Sequence, residues 1–245
     1  MNRVGVRPAA AVRRVPLIAL AIAGAWVVMV AAQLSGHAGL LHHHTLIEAG
    51  PSLWLGLPIF LVGWLVMIAA MMLPASLPAV AAYAASAPSR LRSSALVSGF
   101  LAPYTVVWAL FGLLAFDGDF GLHHLVYATP WLGARPWLID AGVLGLAGAW
   151  QLTPLKRRCL EACRHPESSV AHEIGLSHAL ACLGSSGALM LLMFAEGFAS
   201  LTWMAVLAVV MGYEAIGRHG FVAARVVGVG LLALATAVLA TGVSV

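Results

Sequence analysis

An all-α, polytopic bundle of membrane-spanning helices is what this sequence predicts, on three observations. Of its 245 residues, 62% are hydrophobic and only 9% are charged, where a soluble domain carries about 25% charged residues. The apolar residues come in continuous runs near the ~20 residues that a helix needs to cross hydrocarbon, not in the alternating runs of a closed barrel. Twelve of the thirteen Lys and Arg residues fall on one side of the topology those runs define, as the positive-inside rule expects. The mean hydropathy of +0.96 agrees.

Seven spans are expected, with the N-terminus cytoplasmic and the C-terminus outside. Residues 1–14 carry Arg3, Arg7, Arg13 and Arg14 without an acid and form a cytoplasmic tail; residues 15–245 form one transmembrane domain. Span 1 covers 15–34. Its Val30-Ala31-Ala32 loosely resembles a peptidase site, but the run is longer than a signal-peptide core, which favours a retained anchor. The loop 35–52 has no Lys or Arg and lies outside, carrying His37, His42, His43, His44 and Glu48. Span 2, 53–82, contains Pro74 and Pro78. Proline removes a donor and clashes with the preceding turn, so a kink or stop is expected near Leu73.

Arg90 and Arg92 mark an inside loop before span 3, 95–116. A second outside loop, 117–136, holds Asp117, Asp119, His123, His124 and Arg135, and span 4 follows at 137–152. The longest inside loop holds Lys156, Arg157, Arg158, Cys159, Cys163, Arg164, His165 and His172. Its LTPLKRRCLEACRHP stretch suits an amphipathic turn or two at the membrane surface. Spans 5 and 6, 174–195 and 198–216, are expected to fold back on each other near Glu196-Gly197. Span 7 covers 221–243.

Several function classes fall away. No basic stripe interleaved with aromatics suggests nucleic acid, and there is no phosphate loop, dinucleotide fingerprint, haem-attachment motif or H-E-x-x-H. Gly184-Ser185-Ser186-Gly187 fits an intramembrane serine-protease pattern. The single later histidine, His219, falls at the inside boundary, too far from Ser186 to act as its base. Small residues for close helix packing explain that stretch better, and no enzymatic activity is expected. The three cysteines, on or near the cytoplasmic side, read as thiols rather than as a disulfide framework.

The hairpin from Gly175 to Gly217 is the most informative stretch. Counted outward from its turn, His178 falls level with about Ala215 and Cys182 with Met211. His178 and Cys182, four apart, then face Met211 and Glu214, three apart. Soft thiolate and thioether donors select Cu(I) or zinc, and imidazole suits several transition metals. Met67 and Met71 repeat the spacing on span 2 with Met72 beside them; Met190 and Met193 extend span 5. Methionine is also an ordinary packing residue, and His178 would serve equally as a hydrogen-bond partner of Glu214. Cys159 and Cys163 align on one face if their segment is helical, although structural zinc sites use a second pair that is missing here. The adjacent cations are expected to lower both thiol pKa values. The outside histidines offer a compositional third candidate for Cu(II) or Zn(II), with a solvated polar loop as the ordinary reading.

Four segments, in the same order and covering about a third of the chain, resemble a bacterial family of unknown function described as a predicted metal-binding integral membrane protein. They are MIAAMMLP (Met67–Pro74), WQLTPLKRRCLEACRHP (Trp150–Pro166), GLSHALACLG (Gly175–Gly184) and LMLLMFAEGFASLTWMAVLAVVMGYE (Leu189–Glu214). The resemblance implies functional weight on Met71, Met72, Cys159, Cys163, His178, Cys182 and Glu214. Where that family continues with Gly-Cys-Cys-Trp, this chain has Gly184-Ser185-Ser186-Gly187, and Ala215 replaces the family's lysine. Two thiols are thereby lost from span 5, which implies weaker metal binding or none.

The expected function is a non-enzymatic protein of the bacterial inner membrane that binds or transfers a transition metal, copper in preference to zinc. Its expected ligands come from His178, Cys182, Met211, Glu214, Met67, Met71, Met72, Cys159 and Cys163. Expected partners are the lipid bilayer and a metal-carrying soluble protein or another membrane subunit, with no nucleic acid. The alternative is a membrane scaffold or assembly subunit whose polar hairpin residues only fix packing.

Overall fold

A computed structural model describes residues 15–35, 53–85, 90–164, 171–195 and 201–243. Ten helices and no strands form among them: α1 (Val15–Leu34), α2 (Leu53–Met71), α3 (Leu73–Ala85), α4 (Arg90–Ala128), α5 (Pro130–Gly133), α6 (Trp137–Gln151), α7 (Pro154–Arg164), α8 (Ala171–Ala195), α9 (Leu201–Ile216) and α10 (Gly220–Thr241). Four are long and apolar enough to cross a membrane, or six if each of two bent pairs counts as one span. The expected span 6, 198–216, corresponds to α9. Its 16 residues rise only about 24 Å, short of the ~30 Å of hydrocarbon.

The two bent pairs are α2 with α3, turning by 62°, and α6 with α7, turning by 64°. The first break falls at Met72, one residue before the expected stop. Pro74 becomes the second residue of α3, where its missing N–H costs no helical bond. Pro58 and Pro103 stay inside α2 and α4. The second break turns the chain into α7, which carries five charged side chains in eleven residues. Lys156, Leu160 and Cys163, spaced four and three apart, make its buried face. The expected turn or two is thus a full three-turn helix.

One expected loop is corrected. The first twelve residues of the segment 117–136 continue α4, which runs unbroken for 39 residues. Asp117, Asp119, His123 and His124 therefore stand on a helix. Charges alone do not end a helix, and the first proline after Phe116 is Pro130.

The principal pairings are α6 with α10 and α8 with α4, followed by α8 with α7. Helices α8 and α9 do touch, but the hairpin is a minor contact, which corrects the expectation that it organises the bundle. In the α6–α10 crossing the backbones almost meet. A Cβ on Gly148 would lie 2.9 Å from the Gly228 carbonyl oxygen, and one on Gly228 would lie 2.8 Å from the Gln151 Cβ. Small residues are what permit such an approach. Gly228→Val is accordingly expected to destabilise the fold by about 1–3 kcal/mol through overpacking, read as a lowered thermal midpoint in detergent; an unchanged midpoint would contradict the crossing.

Candidate metal centre

Where α3, α4, α7 and α8 converge, soft and polar side chains meet in the core. His178, 1% exposed, comes from α8, and its Nε2 lies 3.1 Å from Ser76 Oγ on α3. The Ser76 hydroxyl also lies 3.3 Å from Tyr104 Oη, and Tyr104 Oη lies 3.7 Å from Cys182 Sγ. Cys163 of α7 approaches the same imidazole, its Sγ 3.9 Å from each ring nitrogen, and Cys182 follows His178 by one turn of α8. Ser186, one turn beyond Cys182, donates to the Cys182 carbonyl at 2.7 Å and to Met72 Sδ at 3.4 Å. Two thiols, one imidazole and one thioether are thereby joined through two serines and a tyrosine.

The local sequence explains this convergence. His178, Cys182 and Ser186 repeat every four residues and so share one face of α8. Phe100, Tyr104, Trp108 and Phe111 form an aromatic stripe along α4. The rings of Phe100 and Tyr104 lie 5.4 and 6.1 Å from the His178 ring and fix its plane. The break at Met72 brings Met72 and Ser76 to the same depth.

A second, polar cluster lies beside the first. Lys156, 1% exposed, pairs with the Glu214 carboxylate at 2.6 Å and donates to the Ser185 carbonyl. Gln151 Nε2 donates to the other Glu214 oxygen at 3.0 Å. Arg164 caps the end of α9, donating to the Glu214 and Gly217 carbonyls at 2.5 and 2.8 Å. Its guanidinium also lies over the Phe221 ring at 5.0 Å. The α6–α7 corner is thus tied to α8 and α9 by charge-assisted hydrogen bonds.

The expected residues separate accordingly. Cys163, His178, Cys182 and Met72 come together. Met67, Met71 and Met211 lie in the same apolar core, as do Met190 and Met193. Glu214 shares the buried face of α9 with Met211, but its carboxylate faces Lys156 and Gln151 rather than His178. Cys159 is half-buried one turn from Cys163, with its Sγ packed on the backbone of Gly184. Its thiol pKa is pushed up by burial, which outweighs the expected lowering by the neighbouring cation Lys156. His37, His42, His43, His44, Glu48, His165 and the turn at Glu196-Gly197 lie outside the described residues, and the side chain of His172 is likewise not described.

Ser76, Tyr104, Gln151 and Lys156 had no part in the expected site. The four-residue repeat through Phe100, Tyr104 and Trp108 was the available signal for Tyr104. Lys156, in phase with Leu160 and Cys163, was another. Among the described residues no group of three or more His, Cys, Asp and Glu side chains forms a metal-holding cluster.

Burial orders the three thiols. A thiol reagent confined to water is expected to modify Cys159 at least about tenfold faster than Cys163 or Cys182. Time-resolved alkylation with peptide mapping would read that order, and equal rates would contradict it.

Fold and site together define a class: a multi-helix protein with helices fit to cross a membrane and a thiol–imidazole–thioether cluster buried among them. The model of the PpoB2 family, described as a copper chaperone, matches residues 61–238. The chain belongs to that family, whose description names copper as the metal it handles. No curated protein and no solved structure matches the chain.

Proposed function

We propose that this protein is a non-enzymatic, multi-pass protein of the bacterial inner membrane that takes up Cu(I) at Cys163 and Cys182 and hands it on. His178 would complete the donor set and Met72 would stand next to it. A buried thiol of α7 lying 3.9 Å from a buried imidazole of α8, one turn from a second buried thiol, is the observation that carries this reading. The copper-chaperone description of the family supports the choice of metal. Cu(I) moves between thiolates by ligand exchange, one new bond forming before an old one breaks. Half-buried Cys159, one turn from Cys163, is placed to make the first or last such bond with a soluble copper carrier. Seven spans with the N-terminus inside would put that helix on the cytoplasmic face.

The test is metal preference in the reduced, detergent-solubilised protein offered Cu(I) and Zn(II) together and then dialysed. About one copper and little zinc per chain is expected from the soft donor set. Zinc in excess of copper, or neither metal, rejects the proposal. The second reading, a scaffold or assembly subunit, draws support from the Lys156–Glu214–Gln151 cluster, which fixes helix packing whatever the thiols do. It predicts no retained metal and an intact fold.

A further inference from the structure

A groove of about 690 Å³ runs between α4 and α6 with α8 as its floor. Its volume lies in the range of sites that hold one small amphiphile. Leu114 and Leu146, 71% and 75% exposed, flank the opening, and Ala147, Ala188 and Leu191 line the interior. If α4, α6 and α8 cross the membrane, as proposed above, that opening faces acyl chains. At one end, formed by the last turns of α4 and the first turn of α6, the lining becomes polar: Asp119, His123 and Asp140. Asp119 and His123 are one turn apart; His123 Nδ1 lies 2.9 Å from the Asp119 carbonyl oxygen and 3.4 Å from its Oδ2. The Asp119 and His123 side chains are only 10% and 15% exposed.

The charges at that end select the occupant. Two carboxylates face the groove, and among the described residues no Lys or Arg lines it. The neighbouring cation, Arg135, is committed elsewhere: its guanidinium lies over the Trp131 ring at 5.0 Å and donates to the Trp131 carbonyl at 3.1 Å. An anionic head would be repelled by Asp140 and by whatever charge His123 leaves on Asp119, whereas a protonated amine can donate to both acids. We propose that the groove binds one amine-headed phospholipid, its ammonium group against Asp119 and Asp140 and one acyl chain along Leu114, Ala147 and Ala188. At the far end lies Trp150, whose indole donates to the Gly184 carbonyl at 2.9 Å, and Cys159 packs on that same glycine. The lipid would therefore brace the turn of α8 on which the half-buried thiol rests.

Delipidated protein mixed with equimolar phosphatidylethanolamine and phosphatidylglycerol, then examined by native mass spectrometry, tests this without copper. One phosphatidylethanolamine is expected to be retained over phosphatidylglycerol by about tenfold, the worth of a charge-assisted hydrogen bond. Asp119→Asn with Asp140→Asn should remove that preference. Gly118→Leu offers an independent check, because a Cβ at Gly118, which lines the groove, meets nothing within 4 Å. That side chain should enter the open space and abolish retention in a protein of unchanged helicity. Equal retention of both lipids by the wild-type protein overturns the proposal, as does no retention, or a preference that survives the paired asparagine substitution. None of these outcomes bears on copper loading.

Discussion

Replacing Cys163 and Cys182 together by alanine is expected to lower bound Cu(I) from about one per chain to below about a tenth, since thiolates dominate the affinity of a soft site. The two sulfurs come from α7 and α8, so neither helix alone can form the site. Either single alanine should leave a weak remnant held by the other thiol and His178. Ser76→Ala and Tyr104→Phe give the finer comparison. Each keeps the donors and removes an atom that orients one, Ser76 Oγ at 3.1 Å from His178 Nε2 or Tyr104 Oη at 3.7 Å from Cys182 Sγ. Loss of such an orienting partner typically costs about 10–100-fold in metal affinity. Copper titration against a Cu(I)-specific chromophore reads all five variants. Undiminished stoichiometry in the double alanine variant would move the site away from these thiols. A loss equally large in Cys159→Ala would place the tight site on α7.

Breaking the buried ion pair should have the largest effect on stability. Glu214→Leu leaves the Lys156 ammonium, 1% exposed, with the Ser185 carbonyl as its remaining acceptor. Removing one partner of a buried pair typically costs about 3–5 kcal/mol, because the desolvated charge left behind is uncompensated. Lys156→Met alone should cost a similar amount by stranding the carboxylate. The double variant should recover most of the loss, since apolar residues of matching volume often replace buried pairs without penalty. Chemical or thermal denaturation in detergent of the two single variants and the double gives the coupling directly. Additive losses would mean that the two groups do not act as a pair. A double variant that is stable yet loses copper would assign the pair a role in the site itself.

Most of the helical organisation was legible in the sequence, because continuous apolar runs and the prolines carry it. Span 1 coincides with α1, span 4 differs from α6 by one residue, and the stop foreseen at Leu73 falls at Met72. Span 3 is expected to end at Phe116, whereas the helix runs on to Ala128 through Asp117 and Asp119, because charge does not oppose helix formation. The site was legible in part. His178 and Cys182 emerged from helical spacing, and Cys163 from its spacing with Cys159. Their actual partners did not, because counting outward from a turn assumes that helices adjacent in sequence pack most closely. Here α8 packs chiefly on α4, so the neighbours of His178 come from residues about 75 and 100 positions upstream. Glu214 was drawn away by Lys156, a residue that reads from sequence as one more cytoplasmic cation.

The bend at Met72 also has an electrostatic side. An unbroken helix from Leu53 to Ala85 would carry one macrodipole, its poles near the two membrane surfaces. Divided at Met72, the chain instead places the N-terminal pole of a second dipole, that of α3, in the interior, within a turn of Ser76 and the His178 ring it contacts. That pole carries roughly half a positive charge. The C-terminal pole of α2, of opposite sign, ends at the same break, so the two poles largely offset each other there and the interruption by itself supplies little net field for a buried anion.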